Sequence, residues 1–347
     1  MTSNENPRIL ISRLSAIGDC VLTAPLLCAL RKQFPAALIA WATQPAAATL
    51  LDRHECLDQL IVVRKGWLKS PRRLRELRRQ LRAARFDVVI DPQSLTKSAL
   101  VGWLSGAPRR VGFDRPRGRE LSVWLNRELV QPTCEHLVDA QLELLRTLGV
   151  ESPDVEFRLP RPSLVEAKTD DTIRRLHLGC DFLAINPGAG WDSRLWPAKR
   201  FGQIARELGQ RYQLPSLVIW SGERELGWAR TIVKGSGGHA LLAPPTNLPE
   251  LAALLRRARL FLSSDTGPLH IAVAVGTPCV SLHGTTRREA SGPYGPQHIA
   301  IQQRYQTGTS RQRRRADNAA MREIDVETVV AACEQLLQRP ASGREAA

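Results

Sequence analysis

Leu260-Phe261-Leu262-Ser263-Ser264-Asp265-Thr266-Gly267-Pro268-Leu269-His270, followed by the apolar run from Ile271 to Val275, reads as a strand turning sharply into a helix. Leu260 to Leu262 form the strand, and Ser263 to Thr266 place four small polar side chains at its carboxyl end. Gly267 lets a ligand come close to the backbone, and Pro268 suits a first helical turn. Helix N-termini carry unpaired N–H groups and partial positive charge, so this corner suits an anionic or hydroxyl-rich ligand. Ordinary helix capping asks for the same residue types. The neighbouring loops bear on the choice between the two readings.

Three further strands in the same half end in polar or glycine-bearing loops. Phe182 to Asn186 precedes Pro187-Gly188-Ala189-Gly190, Ser216 to Trp220 precedes Ser221-Gly222-Glu223-Arg224-Glu225, and Pro278 to Leu282 precedes His283-Gly284-Thr285-Thr286. A helix is expected over Lys199 to Tyr212. Open α/β sheets bind ligands outside the carboxyl ends of their strands, so all four loops are expected to face one crevice. Capping and turn formation do not require Arg194, Lys199 and Glu225 to lie beside that same edge. The basic stretch from Arg304 to Arg322 reads as a mobile loop, and Val326 to Leu337 as a last amphipathic helix.

The first half opens on a similar plan, with a strand at Arg8 to Ser12, a loop from Arg13 to Gly18 and a helix from Asp19 to Phe34. Val21, Leu22, Pro25, Leu26, Ala29 and Leu30 share one helix face, and Arg31 and Lys32 occupy the last turn, where the dipole favours cations. Neither G-x-G-x-x-G nor G-x-x-x-x-G-K-[ST] is present here, which argues against a dinucleotide oxidoreductase and a P-loop NTPase. Asp19, after Gly18, either offsets the helix dipole or stands where such sheets bind ligands. Strands at Leu38 to Thr43, Leu60 to Val63, Phe86 to Asp91 and Arg109 to Phe113 alternate with helices, the pattern of a parallel doubly wound sheet. Arg72 to Ala84 is a basic amphipathic helix, either a solvated face or one that lies against anionic lipid or another polyanion. The loop Pro92 to Ser98, with Lys97, and the run Arg109 to Glu120, with Arg115 among five arginines, are phosphate ligands or surface loops. A helix over Glu135 to Leu148 ends at Gly149, and Ser152 to Ser163 reads as the linker between the halves.

The chain has 347 residues, 43% hydrophobic and 24% charged, which suits two globular domains with real cores. Its net charge of +15 implies affinity for something anionic: nucleic acid, a nucleotide sugar or an acidic membrane surface. Seven scattered cysteines without a C-x-x-C indicate neither a disulfide framework nor a zinc site and favour a reducing compartment. No signal peptide is read at the N-terminus, and no stretch of about 18 uncharged apolar residues suggests a membrane span.

At these residues the chain resembles the lipopolysaccharide heptosyltransferases of glycosyltransferase family 9. Arg13-Leu14-Ser15-Ala16-Ile17-Gly18-Asp19, Asn186-Pro187-Gly188-Ala189, Arg194-Leu195-Trp196-Pro197, Trp220-Ser221-Gly222-Glu223 and Ser264-Asp265-Thr266-Gly267-Pro268-Leu269-His270 are similar to that family's motifs in the same order, over roughly residues 8 to 338. The resemblance implies an α/β GT-B fold, two Rossmann-like domains facing across a cleft. It implies an N-terminal acceptor-binding domain over 1–160, a C-terminal nucleotide-sugar-binding domain over 161–322, and a segment 323–347 whose helix packs back on the first domain before a tail. The implied reaction moves a heptose from ADP-heptose to the lipid A core acceptor with inversion and without an obligatory metal or other cofactor. The implied location is the cytoplasmic face of the inner membrane, peripheral on its anionic surface.

Displacing ADP from an anomeric carbon needs charge relief on the diphosphate and a base for the acceptor hydroxyl. By the family's motifs Asp19 would be that base. Arg194, where relatives commonly have lysine, would contact the diphosphate, a bidentate task suited to a guanidinium. Lys199 is a second candidate. Asp265, Thr266 and Gly267 would bind the donor, Glu225 would accept from a sugar hydroxyl, and His270 is either a ligand contact or a helix-face packing residue. Gly18, Lys97 and Arg115 are the acceptor-side candidates. Two other readings remain: a GT-B transferase using another nucleotide sugar on another envelope glycan, and a basic nucleic-acid-binding protein. The second lacks a recognition motif and the aromatic interleaving of single-strand binders, so no nucleic-acid partner is expected.

Overall fold

The computed structural model describes residues 6–179 and 181–339, and the chain divides into two compact units, Met1–Pro160 and Arg161–Ala347. The N-terminal residues 1–5, Cys180 and the tail from residue 340 lie outside the described residues. Six strands build the first unit: β1 (Arg8–Ser12), β2 (Leu38–Thr43), β3 (Gln59–Val62), β4 (Val88–Asp91), β5 (Arg109–Phe113) and β6 (Glu128–Val130). They pair in the order β3-β2-β1-β4-β5-β6, all parallel. In the second unit β7 (Leu183–Asn186), β8 (Ser216–Val218), β9 (Ala240–Leu242), β10 (Leu260–Ser264), β11 (Cys279–Leu282) and β12 (Ile299–Ile301) pair as β12-β11-β10-β7-β8-β9, again all parallel.

Numbered from its own start, each sheet has the order 3-2-1-4-5-6, the doubly wound arrangement whose chain direction reverses beside the first strand. The switch points therefore fall between β1 and β4 and between β7 and β10. Helices cover both faces of such a sheet, so its central strands are apolar on both sides: Ile9, Leu10 and Ile11 of β1, and Leu260, Phe261 and Leu262 of β10, are fully buried. Three strands absent from the sequence reading, β6, β9 and β12, are three-residue edge strands. Their partial exposure removes the apolar run that marks a central strand.

Three other expectations change. The helix expected over Asp19 to Phe34 is two helices, Ile17–Val21 and Ala24–Gln33, and the second starts with Pro25 in its first turn, where the missing proline N–H costs nothing. The stretch read as a mobile loop holds two helices, Ser310–Arg315 and Ala319–Arg322. Thr309 and Gln312 cap the first reciprocally, Thr309 N–H donating to Gln312 Oε1 at 2.8 Å and Gln312 N–H to Thr309 Oγ1 at 3.3 Å. The last helix, Val326–Leu337, was expected against the first domain. Its buried residues Val329, Val330, Cys333 and Leu336 instead belong to the second unit's core, beside Phe201 and Ile204 of helix Ala198–Tyr212. Among the described residues no helix is long and apolar enough to cross a membrane.

Candidate functional site

The β10 corner of the second unit is not a capping arrangement. Thr266 holds the N-cap position of helix Gly267–Ala274, yet no side chain caps that helix. Thr266 Oγ1 turns instead to the switch point, 3.3 Å from Asn186 Nδ2 and 3.2 Å from Ser263 Oγ. Asn186 Nδ2 also donates to Ser263 Oγ at 3.0 Å and to the Gly188 carbonyl at 3.1 Å, tying the loop after β7 to the end of β10. The first N–H groups of helix Gly267–Ala274 thus keep their donor character for a ligand.

Asp265 is buried at this corner and paired twice. Arg194 Nη1 lies 3.2 Å from its Oδ2 and donates to its carbonyl at 3.1 Å, and His270 Nε2 lies 3.4 Å from its Oδ1. Burial by itself would raise this carboxyl, but the His270 hydrogen bond and the Arg194 and His283 charges hold it well below the usual range. His283, at the end of β11, is pushed down to about 4 by burial, and its Nε2 lies 2.9 Å from Ser281 Oγ. Ser264 Oγ, His270 Nδ1, His283 Nδ1, Thr285 Oγ1 and Thr286 Oγ1 are buried without a hydrogen-bond partner among the described residues. Such atoms are rare in a folded protein, and their gathering at the ends of β10 and β11 fits a site that a polar ligand completes.

Arg194 also stacks on Trp191, its guanidinium carbon 3.9 Å from the ring centroid, and the Arg314 guanidinium stands over the same ring at 4.9 Å. Arg313, next to it, donates from Nη1 to the Thr285 carbonyl at 2.7 Å. From the sequence Arg313 and Arg314 read only as part of a mobile basic loop, and Trp191 carries no signal of its own. A Thr-x-x-Gln capping box opening a basic helix was the available signal. Glu225 takes the Ser221 N–H at 2.7 Å, burial raises its carboxyl, and a side chain at Gly188 would collide with it. Lys199 is exposed in the first turn of Ala198–Tyr212, with no hydrogen bond or ion pair among the described residues. A mainly apolar cavity of about 620 Å³ opens beside the ends of β8 and β9, lined by Trp220, Leu242, Ala243, Pro244 and Leu254.

In the first unit a cavity of about 490 Å³ lies at the β1–β4 switch point. Asp19 faces it from helix Ile17–Val21, with Gly18 buried behind. Asp19 Oδ2 pairs with Arg13 Nη2 at 2.8 Å and takes the Ala16 N–H at 3.2 Å, while Oδ1 has no partner among the described residues. Arg13, almost fully buried, is held by the Pro92 carbonyl at 2.8 Å. Asp91, next to Pro92 of the cavity wall, is pushed up to about 6 by burial, against hydrogen bonds from Ser98, Asn126 and Ser94. The cations lining this cavity are Arg13, Arg117 and Arg119. Lys97 and Arg115 are not brought to it: both are exposed, Lys97 on the outer side of helix Thr96–Ser105 and Arg115 in the loop after β5. Spacing alone could not tell which arginine of the 109–120 run turns inward.

Two doubly wound parallel units, with anion-suited corners at their strand ends, are the architecture of GT-B glycosyltransferases. The chain belongs to glycosyltransferase family 9 (heptosyltransferase), which it matches over residues 74–320. It is 27% identical over 312 residues to lipopolysaccharide heptosyltransferase 1 of Salmonella typhimurium, covering 84% of this chain and 93% of that one. With lipopolysaccharide heptosyltransferase 3 of Escherichia coli K12 the identity is 26% over 334 residues, covering 93% and 96%. In fold it is similar to a family 9 glycosyl transferase from Veillonella parvula (TM-score 0.81, 24% identity, 95% and 97% coverage). It is likewise similar to the E. coli heptosyltransferase WaaC solved with ADP (TM-score 0.76, 21% identity, 95% and 99% coverage).

Proposed function

We propose that this heptosyltransferase takes its sugar from ADP-heptose and adds it to the inner core of lipopolysaccharide, inverting the anomeric centre without requiring a metal. The observation that carries the reading is the uncapped N-terminus of helix Gly267–Ala274 beside the Arg194–Asp265 pair. Backbone N–H groups of Thr266 and Gly267 and the helix dipole suit a diphosphate, and Arg194 and Arg314 supply the charge that a metal supplies in other transferases. Asp265 positions Arg194 and His270. Glu225 accepts from a sugar hydroxyl, and the apolar cavity at the ends of β8 and β9 suits the base. The named relatives are lipopolysaccharide heptosyltransferases, and one solved structure of similar fold carries ADP-2-deoxy-2-fluoro heptose, which supports this donor.

On the acceptor side, Asp19 Oδ1 takes the proton of the attacking hydroxyl as its oxygen bonds to the anomeric carbon. The bond to the diphosphate oxygen breaks on the opposite face, and its electron pair leaves with ADP. Arg117 and Arg119 suit phosphates on the acceptor core. Such an acceptor is held in a bilayer, so the protein works peripherally at the cytoplasmic face of the inner membrane. The test is mass-shift screening of ADP-, UDP- and GDP-sugars against a truncated lipid A core acceptor. A heptose-sized shift with ADP-heptose alone is expected. Transfer from another nucleotide sugar would favour a different envelope glycan and overturn the donor assignment.

A further inference from the structure

The positive charge of this chain is concentrated in one region. From Arg64 to Arg127 there are 17 Lys and Arg against five Asp and Glu, a net +12 of the chain's +15. Helix Pro71–Ala83 buries Leu77 and Leu81 and leaves Arg72, Arg73, Arg75, Arg78, Arg79 and Arg82 exposed. Arg72 pairs with Glu76, but Arg75, Arg78 and Arg79 have no ion pair or hydrogen bond among the described residues. Charge alone would suit any polyanion. The neighbouring surface narrows the choice.

Helix Pro71–Ala83 packs against helix Thr96–Ser105, with Arg82 Nε donating to the Leu104 carbonyl at 3.3 Å. Helix Thr96–Ser105 buries most of its residues and turns Lys97 and Trp103 outward, while the half-buried Leu100 packs against the core. The short helix Ser122–Leu125 packs beside it, and the Leu121 N–H donates to Thr96 Oγ1 at 3.3 Å. Trp103 is 50% exposed, Leu121 58% and Trp124 78%. Tryptophan is among the costliest side chains to leave in water, and three large apolar side chains on one helix and at the start of the helix packed beside it are not scattered exposure. Exposed tryptophan and leucine beside arginine and lysine is the composition of surfaces that lie in a lipid headgroup layer.

We propose that helices Thr96–Ser105 and Ser122–Leu125 form a membrane-inserting face, with Trp103, Leu121 and Trp124 entering the headgroup layer of an anionic bilayer and Lys97 and the arginines of Pro71–Ala83 on its phosphates. This rests on the reading of a lipid-anchored acceptor and adds the contact that brings enzyme and acceptor together. Leu95 and Arg119, which flank the two helices in sequence, line the Asp19 cavity, so a glycolipid headgroup beside this face lies near the proposed base. The face also gives Lys97 a place, since that side chain does not reach the cavity. Attraction by the arginines is screened by salt, whereas apolar insertion is not.

The test uses the full chain and phosphatidylcholine vesicles with and without phosphatidylglycerol, with no nucleotide sugar or acceptor present, so its outcome is independent of the transfer reaction. The wild-type protein should co-sediment with the anionic vesicles, keep part of that binding in high salt, and show tryptophan quenching by brominated lipid. Trp124→Ser, at the most exposed position, and the pair Trp103→Ser with Trp124→Ser should retain the wild-type circular dichroism. The pair should weaken binding by about tenfold or more and abolish its salt-resistant part and the quenching. Arg78→Gln with Arg79→Gln should instead remove mainly the salt-sensitive part. Three results overturn the proposal: unchanged binding by the tryptophan pair, no wild-type binding to anionic vesicles, or a wild-type dimer that Trp124→Ser dissociates, which would mean a second copy covers this face.

Discussion

Replacing Asp19 with asparagine separates a base from a helix-terminal acid. The carboxylate makes two contacts through Oδ2, with Arg13 at 2.8 Å and the Ala16 N–H at 3.2 Å. Its side chain is 41% exposed while that of Arg13 is 6% exposed, so solvent screens much of the ion pair from the Asp19 side. Asparagine retains an oxygen for the Ala16 N–H, and Arg13 keeps its bond to Pro92. The expected stability loss is therefore about 1 kcal/mol, the scale of a partly exposed helix-terminal charge. In a unit of this size that lowers the melting temperature by about 2–4 °C. An amide cannot take the acceptor proton, so kcat should fall about 10²- to 10⁴-fold. Donor binding should be almost unchanged, because proton transfer contributes only in the transition state. Calorimetric melting, ADP titration and ADP-release kinetics on the same preparation give all three numbers. An asparagine variant with wild-type kcat and a small melting shift refutes the argument and leaves Asp19 as a cap.

Arg194→Ala should weaken ADP binding as well as turnover, by about tenfold or more, since it removes a charged hydrogen bond from ground and transition states alike; unchanged ADP affinity in a titration would move that role to Lys199. Turnover should be insensitive to EDTA, and activity lost to the chelator and restored by a divalent metal would contradict the assignment of charge relief to Arg194 and Arg314. The buried His283 and His298 of the second unit and the buried Asp91 of the first should respond oppositely to acid. Burial holds His283 and His298 down to about 4, below the ordinary 6.5, so as pH falls from 6.5 to 4 the unfolded second unit gains protons that the folded one does not, and it loses stability. Asp91, pushed up to about 6 by burial, binds its proton more readily in the folded first unit and works the other way from pH 6 down to about 4. Hydrogen exchange corrected for intrinsic rates, at pH 7 and pH 5, should show protection falling in β10 and β11 relative to β1 and β4; equal changes in both units would sink the argument.

Much of the architecture was legible because the central strands of a parallel sheet are buried on both faces and read as apolar runs, as at Ile9 to Ile11 and Leu260 to Leu262. The corners at Asp19 and Asp265 were legible because strand, polar loop and helix start are local in sequence, and strand direction alone assigns them to the ligand-binding edge. The edge strands β6, β9 and β12 were not, because half-exposed three-residue segments carry no periodic signal. Pairings across long separations were decided only by the fold: Arg194 meets Asp265 across 71 residues, and Arg314 comes to the Trp191 ring from a helix read as loop. Which cations turn into the Asp19 cavity was likewise tertiary, since Arg13, Arg117 and Arg119 line it while Lys97 and Arg115 face outward. The last helix shows the division most simply. Its amphipathic period determines that one face of Val326–Leu337 is buried, but a period names no partner, and only packing against Ala198–Tyr212 and the second sheet decided which core that face joins.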